Sequence, residues 1–171
     1  MSLMTSSKVR DVLEKVNEKL EIPKPIFDNI QIKFAKNKKL YGRAEVTKRP
    51  SHDSVNGFVW NYDCAILLSD PLLSVVEEKQ QEQTFVHELC HVADVIFNGF
   101  MSNHGSTWSS LMKKAGYEPI ILGPPLPQKV PGMVTVRCDC RTFPVTSNRA
   151  TRMRKGTAYR CQVCRQYLEF V

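Results

Sequence analysis

The apolar positions begin with a helical period. Val9, Val12, Leu13, Val16 and Leu20 share one face, Ser6 or Ser7 can cap the run, and Pro23 closes it. The period then shortens to two. NIQIKFA (29–35) alternates, Asn37-Lys38-Lys39 turns the chain, and YGRAEVTK (41–48) offers a second strand. RPSHDSVNG (49–57) reads as a loop by composition, and GFVW and CAILLS supply further strand segments up to Ser69. Ser69-Asp70-Pro71 starts a helix, with Asp70 as its cap and Pro71 in its first turn. The helical pattern continues through LLSVVEEKQQEQ, with one break, into TFVHELCHVADVIFN. Asn98-Gly99 stops that helix, and TWSSLMKKA, ended by Gly116, forms a shorter one with Trp108, Leu111 and Met112 on its apolar face.

Residues 119–131, PIILGPPLPQKVP, hold five prolines and a glycine, which predicts a stiff connector and a domain boundary. Beyond it, VTVRCDC and YRCQVCRQYLEF flank the basic segment TSNRATRMRKG, expected to be a hairpin. The pattern predicts an α+β protein with helices beside a small antiparallel sheet over residues 1–118, a linker over 119–131, and a small separate unit over 132–171.

Composition narrows the class. A chain of 171 residues, 42% of them hydrophobic, can bury one real core plus a small appendage. No apolar run approaches a membrane span, and MSLMTSSKVRDVLEKV lacks the apolar stretch of a secretory signal. The expected location is a reducing one: cytoplasmic, DNA- or nucleoid-associated, nuclear if the source is eukaryotic. Charge is lopsided. Residues 1–125 carry 15 Lys and Arg against 15 Asp and Glu, while residues 126–171 carry nine against two, the whole net charge of +7. A basic excess so concentrated points to a polyanion, most commonly nucleic acid.

Candidate chemistry centres on His87, Glu88 and His91, which spell H-E-x-x-H within an apolar helix. Residues four apart on a helix lie on one face, so both imidazoles can share an ion while Glu88 reaches a water beside it. Catalytic zinc needs a third protein ligand and an open position. His104, past the helix stop and a short loop, is the expected ligand. Asp94 is a rival, but three residues after His91 on the same helix it is cramped, which favours a supporting role. Cys90 suits a small buried apolar site, and His52 has loop surroundings and no assigned role. Glu88 is then the general base of zinc-assisted peptide hydrolysis. A sheet beside such a helix offers an edge to which an extended substrate can add as a strand.

Cys138-x-Cys140 and Cys161-x-x-Cys164 have the layout of a zinc ribbon, with structural zinc holding a segment too small for its own core. Arg149, Arg152, Arg154 and Lys155 are the candidate phosphate contacts, and Tyr159 and Tyr167 the ribbon's packing residues.

Taken in order, YGRAEV, CAILLS before a helix, TFVHELCH, NHGSTW and the C-x-C…YRC-x-x-C end resemble the SprT-like metallopeptidases, relatives of the DNA-protein crosslink protease Spartan. The resemblance implies a zincin-like domain in which His87, His91 and His104 bind catalytic zinc and Glu88 is the base. It also implies proteolysis of DNA-bound proteins, in DNA-protein crosslink repair, by an enzyme recruited or activated by DNA, single-stranded DNA included. The first cysteine pair is more compact than the usual C-x-x-C. A monomer with no membrane partner is expected. Two rivals stand beside this: a non-catalytic nucleic-acid-binding zinc protein, and a peptidase whose ribbon binds protein.

Overall fold

The computed structural model describes residues 5–36, 39–53, 57–121 and 130–171. The first helix, α1 (Ser6–Leu20), is capped by Thr5, whose hydroxyl accepts the Lys8 N–H, one residue ahead of the serines expected there. It buries Val9, Leu13, Val16 and Leu20. A short α2 (Lys24–Asp28) leads into β1 (Gln31–Ala35), β2 (Gly42–Asp53) and β3 (Gly57–Ser69).

These strands form one sheet in the order β1-β3-β2, with β1 parallel and β2 antiparallel to β3. The sheet is therefore mixed, where an antiparallel one was expected. Alternation alone does not distinguish the two pairings. The CAILLS half of β3 is largely buried and takes the central position, flanked by β1 on one side and β2 on the other. The expected loop at 49–57 is also corrected. Arg49 to Asp53 extend β2 and pair with Gly57 to Asn61, so their poor strand propensity yields to cross-strand pairing. His52 is thus an exposed strand residue.

Ser69, rather than Asp70, caps α3 (Asp70–Leu73), its hydroxyl accepting the Leu72 N–H at 3.3 Å. The anticipated break follows, and α4 (Glu78–Asn98) then runs through the middle of the molecule. It ends at Gly99, left-handed at φ 81°, whose N–H bonds to the Val95 carbonyl. α5 (Ser106–Ala115) follows. α4 packs on β2 and β3 with one face and on α1 and α5 with another, which explains its near-continuous burial from Thr84 to Val95. No helix among the described residues is long and apolar enough to cross a membrane.

A second, smaller core lies beyond the proline-rich stretch, most of which (122–129) is outside the described residues. It comprises β4 (Met133–Cys138), β5 (Arg141–Thr146), α6 (Ser147–Arg154) and β6 (Glu169–Phe170), with Val136, Val145, Ala150, Cys161 and Leu168 inside. Sheet order is β5-β4-β6, antiparallel throughout. The basic segment expected to be a hairpin is instead helix α6, which carries Arg149, Arg152 and Arg154, with Lys155 at its C-cap. Thr146 caps it by accepting the Arg149 N–H, and Ala150 and Met153, three apart, turn one face onto the core.

Candidate metal centre

Two groups of metal-ligating side chains converge among the described residues: His87, His91 and His104, and the four cysteines 138, 140, 161 and 164. In the first, the three Nε2 atoms form a triangle with edges of 3.3, 3.1 and 2.9 Å. Neutral imidazoles cannot satisfy one another around such a triangle, because each nitrogen either carries a proton or presents a lone pair. A cation at the centre satisfies all three. Nitrogens about 2.0–2.1 Å from a tetrahedral zinc stand roughly 3.3–3.4 Å apart, close to these edges.

α4 sets the first two imidazoles one turn apart, and the loop after Gly99 returns the third. That loop is held open for His104 by Asp94. Fully buried, its carboxylate accepts the Ser102 N–H at 2.8 Å, the Ser102 hydroxyl at 2.6 Å and the Asn98 amide at 2.8 Å. Asn103 and His104 both adopt left-handed backbone angles, φ 47° and 67°, uncommon outside glycine. Such strain persists where surrounding bonds over-determine the chain. Asp94 is therefore the loop's anchor and not a ligand, and Ser102 and Asn98 are its partners.

Trp108 is fully buried, as expected of a core residue, and it also shapes the site. Its ring stacks on His91 (centroids 5.5 Å, 24°) and meets His87 and His104 edge-on at 4.7 and 4.6 Å. Its indole N–H donates to the His87 carbonyl at 3.3 Å. The His87 ring hydrogen-bonds to the backbone of Ile120. The Nδ1 of His91 is buried without a partner, so packing against Trp108 orients that ring.

Burial, reinforced by the neighbouring imidazoles, pushes His87 and His91 down to about 4, and burial lowers His104 as well. The set is thus neutral, as metal ligands must be. Glu88 leaves the helix toward the sheet. Burial raises its carboxyl to about 7, and an N–H from Ala44 on β2 works against that rise. A Cβ on Gly42 would lie 2.8 Å from both Cγ and Oε1 of Glu88, so only glycine lets the edge strand approach this carboxylate. Gly42 and Ala44 belong to the YGRAEV stretch, whose contribution to the site was not apparent from its alternation.

The cysteines form the second centre. Cys138 and Cys140 stand 3.5 Å apart and Cys140 and Cys161 3.8 Å, far beyond a disulfide and near the roughly 3.8 Å of two thiolates sharing a tetrahedral zinc. Backbone N–H groups of Cys164 and Val163 bring the Cys161 thiol down to about 6, while the neighbouring Cys138 and Cys164 push Cys140 up to about 12. Four thiols this crowded shed all their protons only around a cation. Cys64 and Cys90 are buried singly.

The side chains of Arg149, Arg152, Arg154 and Lys155 are exposed on and just after α6. Arg149 lies 4.5 Å over the ring of Tyr159, and Arg154 lies 5.2 Å over Phe170. Tyr167 receives Arg160 at 4.4 Å and a hydrogen bond to its hydroxyl.

Residues 9–131 match the model of the SprT-like family. Protein SprT of Vibrio atlanticus is 32% identical over 108 residues, covering 61% of this chain and 65% of that protein. Protein SprT of Pseudomonas syringae pv. tomato is 35% identical over 98 residues, covering 52% and 57%. The chain thus spans somewhat under two thirds of these relatives. With the family pattern extending from α1 past the histidine cluster, the chain belongs to the SprT-like family.

Proposed function

We propose that this protein is a zinc-dependent endopeptidase acting on DNA-associated proteins, including those crosslinked to DNA, and that its C-terminal unit is a zinc ribbon that contacts nucleic acid. In this reading residues 1–118 form the zincin-like peptidase, 119–131 the linker and 132–171 the ribbon. The observation that carries it is the convergence of the three imidazoles of His87, His91 and His104, with Glu88 next to His87 on the same helix.

Zinc held by His87, His91 and His104 would supply Lewis-acid polarisation of a peptide carbonyl and acidification of water to a pKa of about 7. The chain's own residues do the rest. Glu88, poised near neutrality, accepts the water proton and returns it to the leaving amine. β2 lies at the sheet's edge, so its backbone can hold an extended substrate beside that carboxylate. Asp94 and Trp108 keep the ligands aimed.

DNA contact rests on the ribbon's charge. Arg149, Arg152, Arg154 and Lys155 share one short helix and its cap, and two of the guanidinium groups lie over the rings of Tyr159 and Phe170. The test is oligonucleotide binding across a salt series. Affinity should fall steeply with salt, and Arg149→Ala with Arg152→Ala should flatten the slope by about two phosphate contacts. Proteolysis of a DNA-bound protein should rise with DNA present. Salt-independent binding and DNA-indifferent turnover would leave a peptidase whose ribbon meets protein.

A further inference from the structure

In the β2–β3 hairpin, cross-strand partners share a face. Ala44 with Ile66 and Val46 with Cys64 lie on the face that packs into the core. The same face continues outward as Lys48 with Tyr62, Pro50 with Trp60, and His52 with Phe58. α4 stops short of this extension: the Lys48 ammonium lies 4.1 Å from the Trp60 ring centroid and 3.5 Å from where a Gly99 Cβ would stand. Past that point no described residue covers Phe58 or Trp60. Phe58 and Trp60 stand edge to face at 5.0 Å, and with Phe97, Phe100 and Met101 at the end of α4 they are 37–65% exposed. Phe58 and Trp60 stand on the outer sheet face, and Lys48 joins that face to the helix end at Gly99, where the other three are exposed; open apolar side chains in this number mark a binding surface.

We propose that this shelf docks an extended, apolar polypeptide segment, the part of a protein substrate that lies beyond the metal cleft. Calling that segment a substrate rests on the hydrolase reading; the docking itself does not. Position favours the assignment. β2 runs from Gly42 and Ala44 beside Glu88 directly to Pro50 and His52 on the shelf. At roughly 3.3 Å per residue, a chain added along its edge reaches the shelf about six to eight residues from the bond at the metal. Charge favours it too. Among the shelf positions named, Lys48 is the one Lys or Arg, and it lies over the Trp60 ring; Arg49 belongs to the opposite face, paired with Asp63 at 3.0 Å. A polyanion gains little from a single cation, and the basic excess lies in the C-terminal unit. Folded proteins bury the apolar side chains the shelf would take, so it selects substrates that are locally unfolded.

The test uses the full zinc-loaded chain carrying Glu88→Gln, so that binding is read without turnover. The probes are a labelled Gly/Ser/Thr peptide bearing spaced Phe and Leu, its counterpart with Ala at those positions, and oligo-dT. We expect the Phe/Leu peptide to bind, to blue-shift Trp60 emission, and to lose affinity about ten-fold in Phe58→Ser/Trp60→Ser, with the Ala peptide weak throughout. Both replaced side chains are exposed, so an unchanged thermal transition verifies the fold. Equal affinity in the double variant overturns the proposal. So does a variant that loses oligo-dT binding alone, or one that merely dissolves a dimer. Intact peptide docking with no wild-type turnover would remove the hydrolase reading and leave the shelf standing.

Discussion

The carboxylate of Asp94 accepts both the backbone N–H and the hydroxyl of Ser102, at 2.8 and 2.6 Å. Those two bonds tie the end of one helix to the loop that returns the third imidazole. Asp94→Ala should therefore weaken zinc retention at the histidine site by about 10- to 100-fold, the usual effect of losing support behind a ligand. Chelator competition read against total zinc would show it, with zinc in the cysteine cluster unaffected. Undiminished retention would mean that the loop holds its left-handed residues by other means.

Gly42→Ala tests the contact between the edge strand and Glu88. The added methyl would meet Cγ and Oε1 at 2.8 Å, too close to remain without movement. Overpacking of this kind costs about 1–3 kcal/mol, and turnover should fall further than stability alone explains. Thermal unfolding beside peptidase rate separates the two effects.

Metal-free protein should lose stability on acidification between about pH 6.5 and 4.5. His87 and His91, held down near 4, are neutral when folded and protonated when unfolded across that window, so falling pH favours unfolding. Glu88, raised to about 7, acts in the opposite sense, because the folded state keeps a proton that the unfolded state releases. Two such groups outweigh one. Glu88→Gln removes the opposing contribution and should steepen the loss, measurable as the denaturation midpoint against pH in chelator. A shallower dependence in that variant would contradict the assigned shifts.

Cys161→Ser should cost the chain one equivalent of zinc and loosen the small second core, whose few buried residues include Cys161 itself. The first core shares none of those residues, so near-ultraviolet circular dichroism from buried Trp108 should persist.

Much of this was legible before the fold. H-E-x-x-H in an apolar run places two imidazoles on one helix face with a carboxylate next to them, because helical geometry is nearly invariant. With four histidines in the chain, the one beyond the helix stop was the natural third. What local pattern could not convey was long-range. Arg49 to Asp53 look like a loop and become strand because Gly57 to Asn61 pair with them. The parallel pairing of β1 leaves no trace in its alternation. Gly42 is explained by Glu88 and Thr84 on α4, more than forty residues away in sequence. Two local signals point to the rest: Thr146 ahead of Ala150 and Met153 marks α6, and Asn98 and Ser102 beside Asp94 at the end of an apolar helix mark the loop's anchor.

Whether His87, His91, His104 and Glu88 together make a hydrolytic centre can be read by following new amino termini released from a DNA-bound protein, with wild type and Glu88→Gln matched for zinc content. Wild type should cleave, stop on chelation and recover with zinc, while Glu88→Gln at equal zinc should not cleave. Cleavage at the wild-type rate by zinc-matched Glu88→Gln would show that Glu88 is not the base.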